Sequence, residues 1–196
     1  TTSGPGINNL AAGAVSDTGL LVGINTTTSG VINGTAQIAF TSDGAGVNTL
    51  GQTALGGQSV AVTATVNNFA NAVLSKASGD GVLTEPTVDA YVLDLGGVRN
   101  GQGDLSAELE LTNLIAGPAD DLAGGWTLGS SDFGLSVVGS FADLAAGDSI
   151  DGLTVTIDDA SSGVFSHSIT LSPRSTNASG FIGALSPVTV ELIGTV

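Results

Sequence analysis

The sequence predicts an all-β protein built of β-sandwich modules, and three observations carry that prediction. Apolar and polar residues alternate with period two in five segments. Clusters of Gly, Asp, Ser and Pro separate those segments at short spacing. No stretch carries a convincing amphipathic helical pattern. Successive side chains of a strand point to opposite faces, so this alternation marks strands with one buried face.

Taken in chain order, the alternating segments are SVAVTATV (59–66), VDAYVLDL (88–95), LSAELELTN (105–113), GLTVTID (152–158) and PVTVELIGTV (187–196). In 105–113, Leu105, Ala107, Leu109 and Leu111 share one face while Ser106, Glu108, Glu110 and Thr112 share the other. SDGAG, GDG, GPADD and SPRSTNASG supply turn chemistry between strands. NNFANAVLSK (67–76) is read as a turn or two of helix, and residues 71–83 as a linker.

The chain also repeats itself. Residues 7–40 align with 141–171, and QSVAVTATV aligns with PVTVELIGTV, at an offset that stays between 130 and 134 residues. LAAG matches LAAG, and SGV matches SGV. The sequence therefore predicts two copies of one module, at 1–70 and 84–196. The copies are unequal, because the second has about 60 residues before its LAAG and the first only nine. The first module is expected to lack its opening strands and to expose apolar surface and unpaired edges. Two explanations fit: the chain is a piece of a longer repeat protein, or the missing strands come from another subunit.

Composition narrows the function. The 196 residues carry 18 acidic side chains against three basic ones, Lys76, Arg99 and Arg174, for a net charge of −15. Such a chain is repelled by nucleic acid and by anionic lipid, and divalent cations are its natural counter-charges. Without cysteine there is no disulfide, thiolate zinc site or thiol nucleophile. Abundant Gly, Ser, Thr, Asn, Ala and Val, with a single Lys, is a composition associated with secreted bacterial surface proteins. Thr at position 1, and no Met anywhere, lead us to expect a chain that starts after processing. No apolar run of about 18 residues predicts a membrane-spanning helix.

LAAGDSIDGLTVTIDDASSGVFSHSITL (144–171) resembles the later strands of the bacterial choice-of-anchor D family. YVLDLGGVRNGQGDLSAELELTN (91–113) resembles the opening of such a module, with Gly97–Val98 in a turn and Thr112–Asn113 closing a strand. Residues 34–66 resemble a module end. The resemblance implies Hydin-type immunoglobulin-like sandwiches, a secreted or cell-surface location and a structural or adhesive part. It implies no catalytic residues.

Candidate sites follow from chemistry-bearing side chains. His167, the single histidine, aligns with Gly34 and falls on the inward register with Phe165, Ile169 and Leu171, which predicts a core-edge residue. Ser166 and Ser168 point the other way, so no triad is expected. Asp148, Asp151, Asp158 and Asp159 are the candidate calcium ligands, since calcium takes six to eight oxygens from loop carboxylates and carbonyls. Asp120 and Asp121, which precede Trp126, belong to the same acidic set; solvated loop carboxylates are the plainer reading. Trp126 and Tyr91 are expected in the core rather than on a sugar-binding platform. Asn25, Asn33 and Asn177 begin glycosylation triplets, at a frequency chance explains in this composition.

The reading that follows is an extracellular structural protein and not an enzyme, a subunit of a surface fibre, matrix or layer that self-associates into a homopolymer by strand-edge pairing or complementation. Its candidate assembly residues are Leu20, Val22, Ile24, Val60, Val62 and Val66. No cofactor is expected apart from calcium, and no nucleic acid or membrane partner. The alternative is a calcium-dependent or carbohydrate-binding adhesin module with a surface glycan as partner.

Overall fold

The computed structural model describes residues 2–3, 6–17, 19–129, 133–137 and 139–196, and it is all-β: the described residues form strands, turns and loops, with no helix among them. The chain divides into two compact units, Thr1–Asn67 and Asn68–Val196.

The second unit is a two-layer sandwich of immunoglobulin-like arrangement. Its eleven strands are β7 (Ala72–Gly79), β8 (Val82–Thr87), β9 (Ala90–Gly97), β10 (Leu105–Asn113), β11 (Asp121–Thr127), β12 (Gly134–Val137), β13 (Ser140–Leu144), β14 (Ser149–Ile157), β15 (Val164–Thr176), β16 (Ile182–Ala184) and β17 (Val188–Thr195). One sheet has the order β12-β14-β10-β7; the other runs β13-β11-β15-β17-β9-β8, with β16 also on β15. Strand β17 sits between β15, which is antiparallel to it, and β9, which is parallel to it. This matches the immunoglobulin layout of one sheet packed against another. The order of the middle strands departs from that layout. From β11 the chain crosses to β12 on the opposite sheet, returns to β13 beside β11, and crosses again to β14.

The alternating segments read from the sequence build the core. Leu93 and Leu95 of β9, Leu109 and Leu111 of β10, Val155 and Ile157 of β14, Ile169 and Leu171 of β15, and Val188, Val190 and Leu192 of β17 are fully buried in one cluster fed by both sheets. Burying each such side chain contributes about 1.5–3 kcal/mol relative to leaving it in water. Residues 105–113 form the strand their alternation predicts. A bulge at Gly152 interrupts β14, because Leu109 pairs with Leu153 and Glu110 with Asp151. A Cβ at Gly152 would stand 3.2 Å from the Cβ of Leu111, so glycine fits the close approach.

Three expectations are corrected here. Residues 71–83 are not a linker, and 67–76 are not helical. Ala72–Gly79 is strand β7, paired with β10 along its length, with Ala72 and Leu74 in the core. Gly79 and Gly81, both at positive φ, then turn the chain from one sheet to the other. A side chain at either would run into the carbonyl of Ser106 or Asp94. Residues 172–176 were read as part of a turn, yet they continue β15, held by β11 on one edge and β16 on the other. The loop proper starts at Asn177.

The first unit is a long antiparallel ribbon with a short pair beside it in sequence. Strand β1 (Thr2–Ser3) pairs with β2 (Leu21–Val22). Strand β3 (Gly30–Ile38) pairs with β6 (Gln58–Val66), and nested between them β4 (Thr41–Asp43) pairs with β5 (Gln52–Ala54). Ala36 is the one buried hydrophobic residue described in this unit. No second sheet closes over the ribbon among the described residues.

Candidate functional site

The ribbon of unit 1 repeats a ladder of unit 2, register for register. Across β3 and β6, Gly34 faces Val62, Ile32 faces Ala64 and Ala36 faces Val60. Shifted by 133 residues on the first strand and 130 on the second, these become His167 opposite Leu192, Phe165 opposite Gly194 and Ile169 opposite Val190, the pairs seen across β15 and β17. The correspondence continues outward. Thr41–Ala54, Ser42–Thr53 and Asp43–Gln52 map onto Arg174–Ala184, Ser175–Gly183 and Thr176–Ile182. Even the loop bonds agree: Leu55 N–H to Phe40 O matches Leu185 N–H to Pro173 O, and Gly44 N–H to Gly51 O matches Asn177 N–H to Phe181 O. The repeat inferred from sequence is therefore a repeat of hydrogen-bonded structure.

The surroundings of the two ladders differ. In unit 2, β15 has β11 on its free edge and β17 has β9. Among the described residues neither β3 nor β6 has a second partner strand. The face that β15 and β17 bury is the face on which Ile32, Ala36, Val60, Val62, Ala64 and Val66 lie in unit 1, while Asn33, Thr35, Gln37, Thr63 and Thr65 occupy the opposite, polar face. The segment carrying Val22 and Ile24 reaches over part of that apolar face and leaves an open groove of about 400 Å³ above Gly34. A Cβ built on Gly34 would meet nothing within 4 Å, whereas the same place in unit 2 holds the His167 ring.

The candidate assembly residues lie in this region. Leu20 is 50% exposed, Val22 51%, Ile24 41% and Val60 46%, while their counterparts Leu153, Val155, Ile157 and Val190 are 0–2% exposed. Val62 and Val66 are half-buried. Val22, Ile24 and Val62 line the groove itself; Leu20, Val60 and Val66 do not.

The ribbon is also nearly without charge. Asp17 and Asp43 are the only charged residues of the first 67, and neither β3 nor β6 contains a charge or a proline. Outer strands of unit 2 carry such residues: Lys76 on β7, Glu85 and Pro86 on β8, Asp143 on β13. Lysines, acids and prolines on edge strands oppose pairing with foreign chains, and β3 and β6 have none of them. Asp43, at its far end, accepts from the Ala45 backbone N–H and from Gln52; these bonds hold its carboxyl below the usual aspartate range.

The four candidate calcium ligands do not form one site. Asp148 and Asp151 stand at one end of β14, Asp158 and Asp159 at the other. Seven residue steps along extended chain separate Asp151 from Asp158, about 23 Å at roughly 3.3 Å per residue. Asp151 lies opposite Glu110. Asp158 and Asp159 are joined instead by Asp104, which sequence reading missed, and the three carboxylates come within 4.8 Å of one another. Asp104 belongs there because β10 and β14 are antiparallel and Leu105 pairs with Ile157. Each carboxylate already accepts a backbone N–H: Asp104 from Asp159, Asp158 from Ala160, and Asp159 from Gly103.

The remaining polar candidates lie on the strands and loops of unit 2. His167 lies half-buried on the inward register, and its Nε2–H donates to the Leu128 carbonyl at 2.5 Å. Ser166 and Ser168 are exposed on the other face. Asp120 is buried and takes hydrogen bonds from Ser175 Oγ and Asn177 Nδ2, both at 2.9 Å, while Ser175 Oγ accepts from the Ala70 N–H. Asn113 donates to the carbonyls of Asp120 and Leu144 and accepts from the Asn71 N–H. The amide of Asn177, which begins a glycosylation triplet, is thus engaged. Tyr91 is in the core, and burial, followed by the charges of Glu85 and Asp89, raises its pKa above the ordinary 10.0. Trp126 packs against the core with its Nε1 buried and unbonded.

Comparison with protein-family models gave no match, and comparison with curated proteins gave none either.

Proposed function

We propose that the protein is an extracellular structural component of bacterial origin, a subunit of a surface fibre, matrix or layer that self-associates into a homopolymer through the open ribbon of unit 1. One observation carries this reading. A ladder that unit 2 pairs on both edges and buries on one face recurs in unit 1 with neither edge paired among the described residues and the apolar face only part covered. Unpaired edges without charge or proline are templates for strand addition. The sandwich of unit 2 supplies a rigid body, and the acidic surface keeps such bodies apart except at the uncharged ribbon. The secreted composition and the resemblance of residues 144–171 to an extracellular repeat family support the location.

Light scattering on the size-exclusion eluate, over a concentration series, tests the reading. It expects species that grow with concentration and appear as filaments or sheets by negative-stain microscopy. A monomer at every concentration sinks it.

A second reading, a calcium-dependent adhesive module, rests on the grouping of Asp104, Asp158 and Asp159. It expects millimolar calcium, and not magnesium, to raise the melting temperature of the chain and that rise to vanish in Asp104→Asn. No rise with calcium removes it.

A further inference from the structure

In unit 2, β9 runs parallel to β17 with Tyr91 beside Val190, Val92 beside Glu191, Leu93 beside Leu192 and Asp94 beside Ile193. By the 130-residue correspondence the same places on β6 are Val60, Ala61, Val62 and Thr63. From this, and building on the reading of unit 1 as an assembly joint, we infer that the outer edge of β6 is a receptor for an extended polypeptide segment of a neighbouring molecule. That segment runs parallel to β6 and has the alternating apolar pattern of β9, with its apolar side chains directed onto the face that bears the groove.

Three features of the molecule fix this occupant. The equivalent edge of the equivalent ladder is covered by such a strand, so β17 with β9 is the interface that β6 would reproduce. The edge strand itself, QSVAVTATV, bears no charge, and Ala61 stands where unit 2 has Glu191, so an acidic strand such as β9, with its Asp94, meets no like charge there. The pattern also calls for large apolar residues at alternate positions, because Val60 and Val62 stand where Val190 and Leu192 contribute to a closed core. Unit 2's own β9 is not free to serve, since Tyr91, Leu93 and Leu95 are buried in its sandwich. Backbone hydrogen bonds along the edge supply affinity, and alternate side chains supply register.

The test uses the full chain and a synthetic twelve-residue peptide with the sequence of residues 87–98, TVDAYVLDLGGV. Two controls accompany it: the same peptide N-methylated at alternate residues on its pairing edge, and a scrambled peptide of equal composition without alternation. Binding is followed by anisotropy of labelled peptide, and hydrogen exchange locates it. The expected result is saturable binding that slows exchange along residues 60–65. Both controls should bind at least about tenfold more weakly, a loss of roughly 1.4 kcal/mol. Equal binding of the N-methylated peptide, or protection confined to unit 2, overturns the inference. If the chain self-assembles while the peptide neither binds nor competes, the inference fails and the assembly reading stands. If the chain alone stays monomeric yet the peptide protects β6, the homopolymer reading fails and the receptor stands. Protection on β3 rather than β6 refutes the assignment of the edge.

Discussion

Residues 20–24 and 153–157 occupy equivalent places before equivalent ribbons, yet Leu153, Val155 and Ile157 are lost from water while Leu20, Val22 and Ile24 stay 41–51% exposed. The two ribbons agree in every strand pair and in the bonds that close their loops. Pairing and register thus follow from local sequence and turn length, as in any hairpin. Burial depends on strands far away in the chain. Strands β7, β9, β10 and β11 of unit 2 have no counterpart among the described residues of unit 1, and the same local structure is a core in one place and a surface in the other.

The sharpest way to break this comparison is to remove the same atoms from both places. Ile157→Ala should destabilise unit 2 by about 2–5 kcal/mol, because it leaves a cavity in a closed core. Ile24→Ala should cost under about 1 kcal/mol, since much of that side chain already touches water. Urea unfolding at low protein concentration checks both, and equal losses would mean that Ile24 is covered after all. A second pair concerns the polar network. Asp120→Ala strands Ser175 and Asn177 without their acceptor and should cost about 1–3 kcal/mol. Ser42→Ala, at the exposed equivalent of Ser175, should change stability by less than about 0.5 kcal/mol.

Hydrogen exchange sharpens the contrast without mutation. Amides of β3 and β6 should exchange roughly tenfold or more faster than their equivalents in β15 and β17, because an isolated two-stranded ribbon is marginal in water. Similar protection in the dilute chain would contradict an open ribbon. The smallest effect is alkaline. Tyr91 has its pKa raised in the folded state, so its contribution is full below pH 10 and is lost as pH rises through the higher folded value. Unit 2 should therefore lose stability above about pH 10, and Tyr91→Phe should flatten that slope in a pH series of melting temperatures.

Much of this fold was legible because alternation and repetition are local signals. Residues 105–113 showed their strand, and the offset of 130–134 marked the repeated module. Strand β7 was hidden because AVLSKASG lacks sustained alternation and is a strand chiefly through its pairing with β10. Residues 172–176 read as a turn because Pro, Ser and Thr favour turns in isolation, whereas β11 and β16 hold them extended. The acidic site was misdrawn for a related reason. Asp148 and Asp158 are close in sequence terms but sit at opposite ends of a strand, while Asp104, far away in sequence, arrives through antiparallel pairing. Proximity across a sheet is set by register, which a list of acidic positions does not contain.

The loops that close the two ribbons span residues 44–51 and 177–181, eight residues against five, and the ladders on either side keep step. The module has thus already absorbed an insertion of three residues at this tip without disturbing a single rung. Exposed loop tips are where added chain is best tolerated. The apex around Gly46 and Val47 is accordingly a ready place to graft a foreign epitope.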